Sequence, residues 1–98
     1  MKFMVHWSVD QENWVPVLQK WTSMTAKEQM DAGKGVKILG RWHEMASRTG
    51  VAILEASNAA AVMTYLGQWN PHMDIDISPV VDDAGATKAG KAILNNLG

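Results

Sequence analysis

Val36-Lys37-Ile38-Leu39-Gly40-Arg41-Trp42-His43-Glu44-Met45 alternates its side chains across an extended backbone. Read at period two, Val36, Ile38, Gly40, Trp42 and Glu44 share one face, and Lys37, Leu39, Arg41, His43 and Met45 share the other. Ser47-Arg48-Thr49-Gly50 reads as a turn. Val51–Ala56, apolar on both faces apart from Glu55, then reads as a strand lying inside a sheet. Upstream, Phe3, Val5, Trp7 and Val9 alternate with Met4, His6 and Ser8, which predicts a first strand. Trp14, Val17, Leu18 and Trp21 follow at the i, i+3, i+4, i+7 spacing of an amphipathic helix ending near Met24. Because a proline amide is harmless only in the first helical turn, Pro16 favours Asn13 over Asp10 as its N-cap. Thr25-Ala26-Lys27-Glu28 reads as a capping box opening a short helical turn closed near Gly33.

Downstream, Ser57 or Asn58 caps a helix with Ala59, Val62, Met63 and Leu66 on one stripe, continued by Trp69 and ended by Asn70-Pro71. Met73, Ile75 and Ile77 alternate with Asp74, Asp76 and Ser78 in a fourth strand, and Pro79 puts that strand at an outer or terminal position. After Asp82-Asp83 a weak helix is expected, since Gly85 and Gly90 each cost about 1 kcal/mol relative to alanine. Its Ile93, Leu94 and Leu97 need cover. The order β-α-β-β-α-β is the split βαβ arrangement. The expected fold class is therefore α+β and ferredoxin-like, a four-stranded antiparallel sheet with two helices on one face. One domain is expected over residues 1–98, with a tail or helix from about 82. The uncovered face would carry Met4, Leu39, Met45, Leu54 and Val80 beside His6, Arg41 and His43, too apolar for water, so a homodimer through this face is expected.

Composition narrows the function classes. The 98 residues are 47% hydrophobic and 19% charged, with 9 Lys+Arg against 10 Asp+Glu, a balance that disfavours disorder and generic nucleic-acid binding. Without cysteine there is no disulfide framework, thiolate nucleophile or zinc knuckle, which suits a reducing compartment. No apolar run has the length of a signal peptide or a membrane span, so a cytoplasmic protein without membrane partners is expected.

Several stretches together resemble a known family: MKFMVHWSV at the start, GVKILGRWHE, Glu55 at the end of strand three, Trp69 after the second helix, and SPVVDD after strand four. They are similar to a family of small bacterial domains of unknown function with a ferredoxin-like fold, related to the dimeric α+β-barrel proteins. The match spans most of residues 1–83, and Gly40-Arg41-Trp42-His43 is its most specific part. Thr25–Gly33 and the tail from Ala84 depart from the pattern. The resemblance implies homodimers with facing sheets and ligand pockets between each sheet and its own helices. It also implies a choice among cofactor-free monooxygenases, haem-degrading enzymes and small isomerases, which fold alone does not make.

The residues themselves nominate a site. Arg41 and His43 share strand parity and stand about 7 Å apart, a pair able to hold an anion and move a proton. His6 is placed to join them. The same pair reads structurally as the partner of a carboxylate at a dimer seam. Glu55 is a candidate base if buried, or a salt-bridge partner of Arg41, or the group that orients Arg41 or His43. Of the five tryptophans, Trp7, Trp42 and Trp69 are candidates for an aromatic pocket, while Trp14 and Trp21 sit on a helix stripe where core packing is the ordinary role. His6, His43 and His72 lack metal-ligand spacing, so no metal is predicted. No cofactor is predicted either; haem, with His6 or His43 as ligand, enters only through superfamily analogy. Two functions follow: a binder of a small aromatic or anionic molecule that acts as a cofactor-independent enzyme, monooxygenase or isomerase-like, or a non-catalytic homodimeric binding or regulatory module.

Overall fold

The computed structural model describes all residues from Met1 to Gly98. Strands β1 (Lys2–Ser8), β2 (Val36–Glu44), β3 (Thr49–Ala56) and β4 (Asp74–Val80) form one antiparallel sheet in the order β2-β3-β1-β4. Helix α1 (Gln11–Ser23) connects β1 towards β2, and α3 (Ala59–Leu66) connects β3 to β4, which is the ferredoxin-like arrangement. A short helix, α2 (Ala26–Met30), precedes β2, one 3-10 turn spans Asn70–His72, and α4 (Asp83–Leu97) follows β4. The strand composed for burial, β3, is interior, and Pro79 lies on edge strand β4, where a missing N–H is tolerated. No helix is long and apolar enough to cross a membrane.

Local chemistry fixes the helix ends. The Thr25 hydroxyl accepts from the Glu28 amide at 3.1 Å, and the Glu28 carboxylate accepts from the Thr25 amide at 2.9 Å, closing the capping box. Asn58 caps α3 by accepting from the Ala61 amide at 2.9 Å. Helix α1 starts earlier than Pro16 suggested: Asp10, not Asn13, is its N-cap, and Pro16 lies inside it. The carbonyl that Pro16 cannot serve belongs to Glu12, and both residues are exposed, so that carbonyl is open to solvent.

The core lies between the sheet and α3. Phe3 faces Leu54 and Val5 faces Ala52 across the β1–β3 ladder, and Ile38, Ala56 and the fully buried Val62 complete it. Leu54 is only 1% exposed, so it belongs to this core and not to the uncovered face expected for it. With Val51, Ala52, Ile53 and Leu54 all apolar, the alternation in β3 carries no parity signal.

A second departure decides the site. Ile38 pairs with Leu54 but Gly40 pairs with Ile53, so Leu39 is an extra residue in β2, a β-bulge. One extra residue inverts every later side chain. Arg41, opposite Ala52, and His43, opposite Gly50, consequently face the helices instead of the open side of the sheet. Trp42 moves the other way: its ring stands 62% exposed on the open face, over Gly40, where a Cβ would collide with it. Beside Trp42 on that face are Met4, Leu39, Val51 and Ile53, with His6, Glu55, Asp74 and Asp76 around them. Met45 likewise turns to the helix side.

The Trp7 ring lies flat over its cross-strand neighbour Gly50, and a Cβ at Gly50 would overlap the indole. Gly50 has an ordinary negative φ, so its requirement is close approach and not backbone freedom. Gly50→Ala is therefore expected to cost about 1–3 kcal/mol by overpacking. In urea melts, Gly50→Ala in a Trp7→Leu background should cost clearly less than in the wild type; equal costs would show that the two residues do not meet.

Candidate functional site

Helix α1 is kept off the sheet by its own large side chains. Of its residues only Val17 is buried, while Trp14, Leu18 and Trp21 reach towards β1 and β2 without filling the space between. Beneath them β3 presents the small Ala52, while Gly50 near the start of the strand is covered by the Trp7 ring. Large residues above and a small one below leave a cavity of about 90 Å³. Its floor is Val5, Ala52 and Leu54, its walls are Trp7, Trp14, Trp21, Tyr65 and Trp69, and exposed His43 and Met45 mark its mouth. Fifteen of the eighteen lining residues are hydrophobic, so the few polar groups stand out as the chemistry of the site.

Arg41 is the principal one. Its guanidinium stacks 4.6 Å from the Trp21 ring centroid and donates through Nη2 to the Gln29 carbonyl at 2.8 Å. Gln29 is itself anchored, its side-chain amide donating to the Trp21 carbonyl at 3.2 Å. No carboxylate lies within ion-pair distance of Arg41; the ion pair of this protein, Lys2 with Glu55 at 3.7 Å, is on the opposite side of the sheet. A half-buried guanidinium with donors to spare and no counter-charge favours an anion.

His43 lies between two indoles, edge-on to Trp7 at 5.5 Å and tilted on Trp21 at 5.2 Å. Burial, then the charge of Arg41, lowers its pKa below the ordinary histidine value, so at neutral pH the imidazole is uncharged and can accept a proton. Burial raises the Tyr65 phenol, with Arg41 pulling the other way, so this hydroxyl stays protonated beside the guanidinium. The lowered His43 value has a stability consequence. The unfolded chain takes up this proton first on acidification, so the stabilisation is complete above about pH 6.5 and is lost as pH falls towards the folded value. Between about pH 7 and pH 5 the melting temperature of the wild type should fall further than that of His43→Gln; parallel curves would show an unperturbed histidine.

Of the residues nominated from sequence, the structure gathers Arg41, His43, Trp7 and Trp69 around one cavity. It does not bring in the others. His6 and Trp42 lie on the open face, and Glu55, exposed and paired with Lys2, is on that face too, so it orients neither Arg41 nor His43. Trp14, Trp21 and Tyr65 also line the cavity; helical spacing alone points Trp14 and Trp21 to core packing and gives no signal for Tyr65. Haem does not suit these residues: His6 lines neither this cavity nor the shallow one by Lys37 and Glu55, and His43 is wedged between indoles beside a cavity far below the 300–1,000 Å³ of larger ligand sites. No group of three His, Asp or Glu residues is arranged to hold a metal ion.

No curated protein matches the chain. Among solved structures, a Deinococcus radiodurans protein provisionally named an antibiotic biosynthesis monooxygenase is similar at a TM-score of 0.40 and 12% identity, over 84% of this chain and 94% of that one. The sequence profile described as "Domain of unknown function (DUF3303)" matches residues 1–94, and the chain belongs to that family.

Proposed function

We propose that the protein binds a small organic anion with an apolar body in the cavity beneath α1, the anionic group meeting Arg41. The observation that carries this reading is the unpaired Arg41 guanidinium in an otherwise aromatic and aliphatic wall. An anion there gains charge-assisted hydrogen bonds in a low-dielectric setting, and the indoles cover its apolar part. A cavity of about 90 Å³ encloses a single ring or a short chain, with any larger portion emerging at the His43 and Met45 mouth.

A catalytic role rests on His43. An uncharged imidazole next to a guanidinium can take a proton from a carbon or phenol acid, leaving the electron pair on the ligand as an enolate or phenolate facing Arg41. Returning that proton to another carbon isomerises the ligand; in the monooxygenase alternative the carbanion adds to dioxygen, as co-reactant, and the protonated peroxide breaks its O–O bond with loss of the remaining C–H proton, leaving one oxygen on the ligand as a carbonyl and releasing the other as water. Without turnover the same pocket is a binding or regulatory module.

The test is a titration with single-ring and short-chain carboxylates and phenols, followed through tryptophan emission, since Trp7, Trp14, Trp21 and Trp69 all line the cavity. Saturable quenching by anions, and not by their neutral amides or ethers, is expected. Binding of both alike would remove Arg41 from recognition. For a ligand that binds and carries an acidic carbon-bound proton, exchange of that C–H for deuterium in deuterated buffer, lost in His43→Gln, separates the enzyme from the binding module.

A further inference from the structure

We infer that Tyr65 is the second ligand-contacting donor of the pocket: its hydroxyl and the Arg41 guanidinium together hold the two oxygens of a carboxylate, so that the site takes carboxylic acids in preference to phenols. The inference rests on the reading of the cavity as an anion site and narrows its ligand class.

The placement of Tyr65 follows from α3. Val62, Tyr65, Leu66 and Trp69 fall at the i, i+3, i+4, i+7 spacing, so the helix and the turn after it present one face to the sheet. Val62, at the start of that stripe, is fully buried in the core. Tyr65 packs its ring against the same core and lines the cavity with Leu66 and Trp69. A phenylalanine would build that wall as well, so the hydroxyl is the informative atom. It is not sealed in the core, where no polar side-chain atom is left without a partner, but opens on the cavity.

Its proton has no acceptor in the protein. Arg41 acts on the hydroxyl through its charge and a hydrogen bond, but a guanidinium carries donors only, so the phenol's own O–H stays unspent. The Asp31 carboxylate acts on Tyr65 through its charge, yet it accepts from the Gly33 amide at 2.9 Å and makes no ion pair with Arg41. Burial keeps the phenol protonated, which preserves it as a donor. Arg41 gives one N–H to the Gln29 carbonyl and keeps others for the cavity. A charged fork from β2 and a neutral hydroxyl from α3 therefore meet at one wall of the pocket.

Two donors side by side call for a group that only accepts. A carboxylic acid, with an ordinary pKa of about 4, is ionised at neutral pH and offers two acceptor oxygens, one for each donor. A phenol, at about 10, keeps its proton and brings a third donor to a place that already has two. Hydrogen bonds to the ionised group are the stronger kind, which adds to the preference.

Benzoate is titrated into the wild type, Tyr65→Phe, Arg41→Met and the double variant, with tryptophan emission as the signal. Tyr65→Phe should bind benzoate about tenfold more weakly than the wild type, the loss of one hydrogen bond to a charged group. Its melting curve should not move, because the hydroxyl serves no protein group. In the Arg41→Met background the same change should cost clearly less, since both donors act on one carboxylate. Phenol should bind the wild type more weakly than benzoate. Tyr65 is the single tyrosine of the chain, so a carbon-13 label at tyrosine Cζ gives one resonance. Isovalerate, a carboxylate without a ring current of its own, should shift it. Equal benzoate affinity in the wild type and Tyr65→Phe, with binding lost in Arg41→Met, would overturn the Tyr65 assignment and leave the anion site standing. Phenol binding as tightly as benzoate would overturn the preference for carboxylates, and no benzoate binding by the wild type would overturn the anion site together with the part of Tyr65 in it.

Discussion

Leu54→Ala is expected to destabilise the protomer by about 2–5 kcal/mol, lowering its melting temperature by roughly 10 °C or more. Leu54 is 1% exposed and opposes Phe3 in the β1–β3 ladder, with Val62 of α3 over the same core. Removing its branched end leaves a cavity that a sheet held on both sides cannot collapse around. The same deletion at Leu39, 43% exposed on the bulge, should cost under about 1 kcal/mol of protomer stability. Both are measured by urea unfolding of otherwise wild-type chains at one protein concentration. Equal costs would mean that Leu54 faces outward and the strand register is wrong.

Arg41→Met should weaken binding of an anionic ligand by about 10- to 100-fold, the loss of roughly 1.5–3 kcal/mol for hydrogen bonds to a charged group. Methionine keeps much of the stem that packs on Trp21 and removes the charge and the donors. Arg41→Lys should recover part of the affinity, because a point charge attracts an anion without the planar fork. The Gln29 carbonyl loses its donor in Arg41→Met, so α2 is expected to loosen, and a melting curve separates that effect from ligand recognition. Unchanged affinity in a folded Arg41→Met would place the anion elsewhere.

The fold was legible where a segment had one wet and one dry face. Phe3, Val5 and Trp7 against Met4 and His6, and Ile75 and Ile77 against Asp74 and Asp76, fixed the inner sides of β1 and β4. The Thr25 cap was legible, and the α3 cap was narrowed to Ser57 or Asn58, because such hydrogen bonds are local and follow from side-chain type. β2 was not, since a bulge leaves the residue types unchanged and inverts their facing; the available signal was Gly40, a glycine within a strand. That single residue of register moved Arg41 and His43 into the pocket and Trp42 out of it. Trp14 and Trp21 could not be told from core residues by spacing, because whether a helix stripe fills its space depends on what lies across from it, here the small Ala52.

The placement of Arg41 and His43 on the helix side of β2 is the claim on which the site depends, and proton–proton cross-relaxation in the folded protein reports it most directly. With ring centroids 5.5 Å and 5.2 Å away, the His43 imidazole protons should show cross-peaks to the indole protons of Trp7 and Trp21. Cross-peaks from His43 to Val51 or His6 instead, with none to Trp21, would put it on the open face and contradict the bulge.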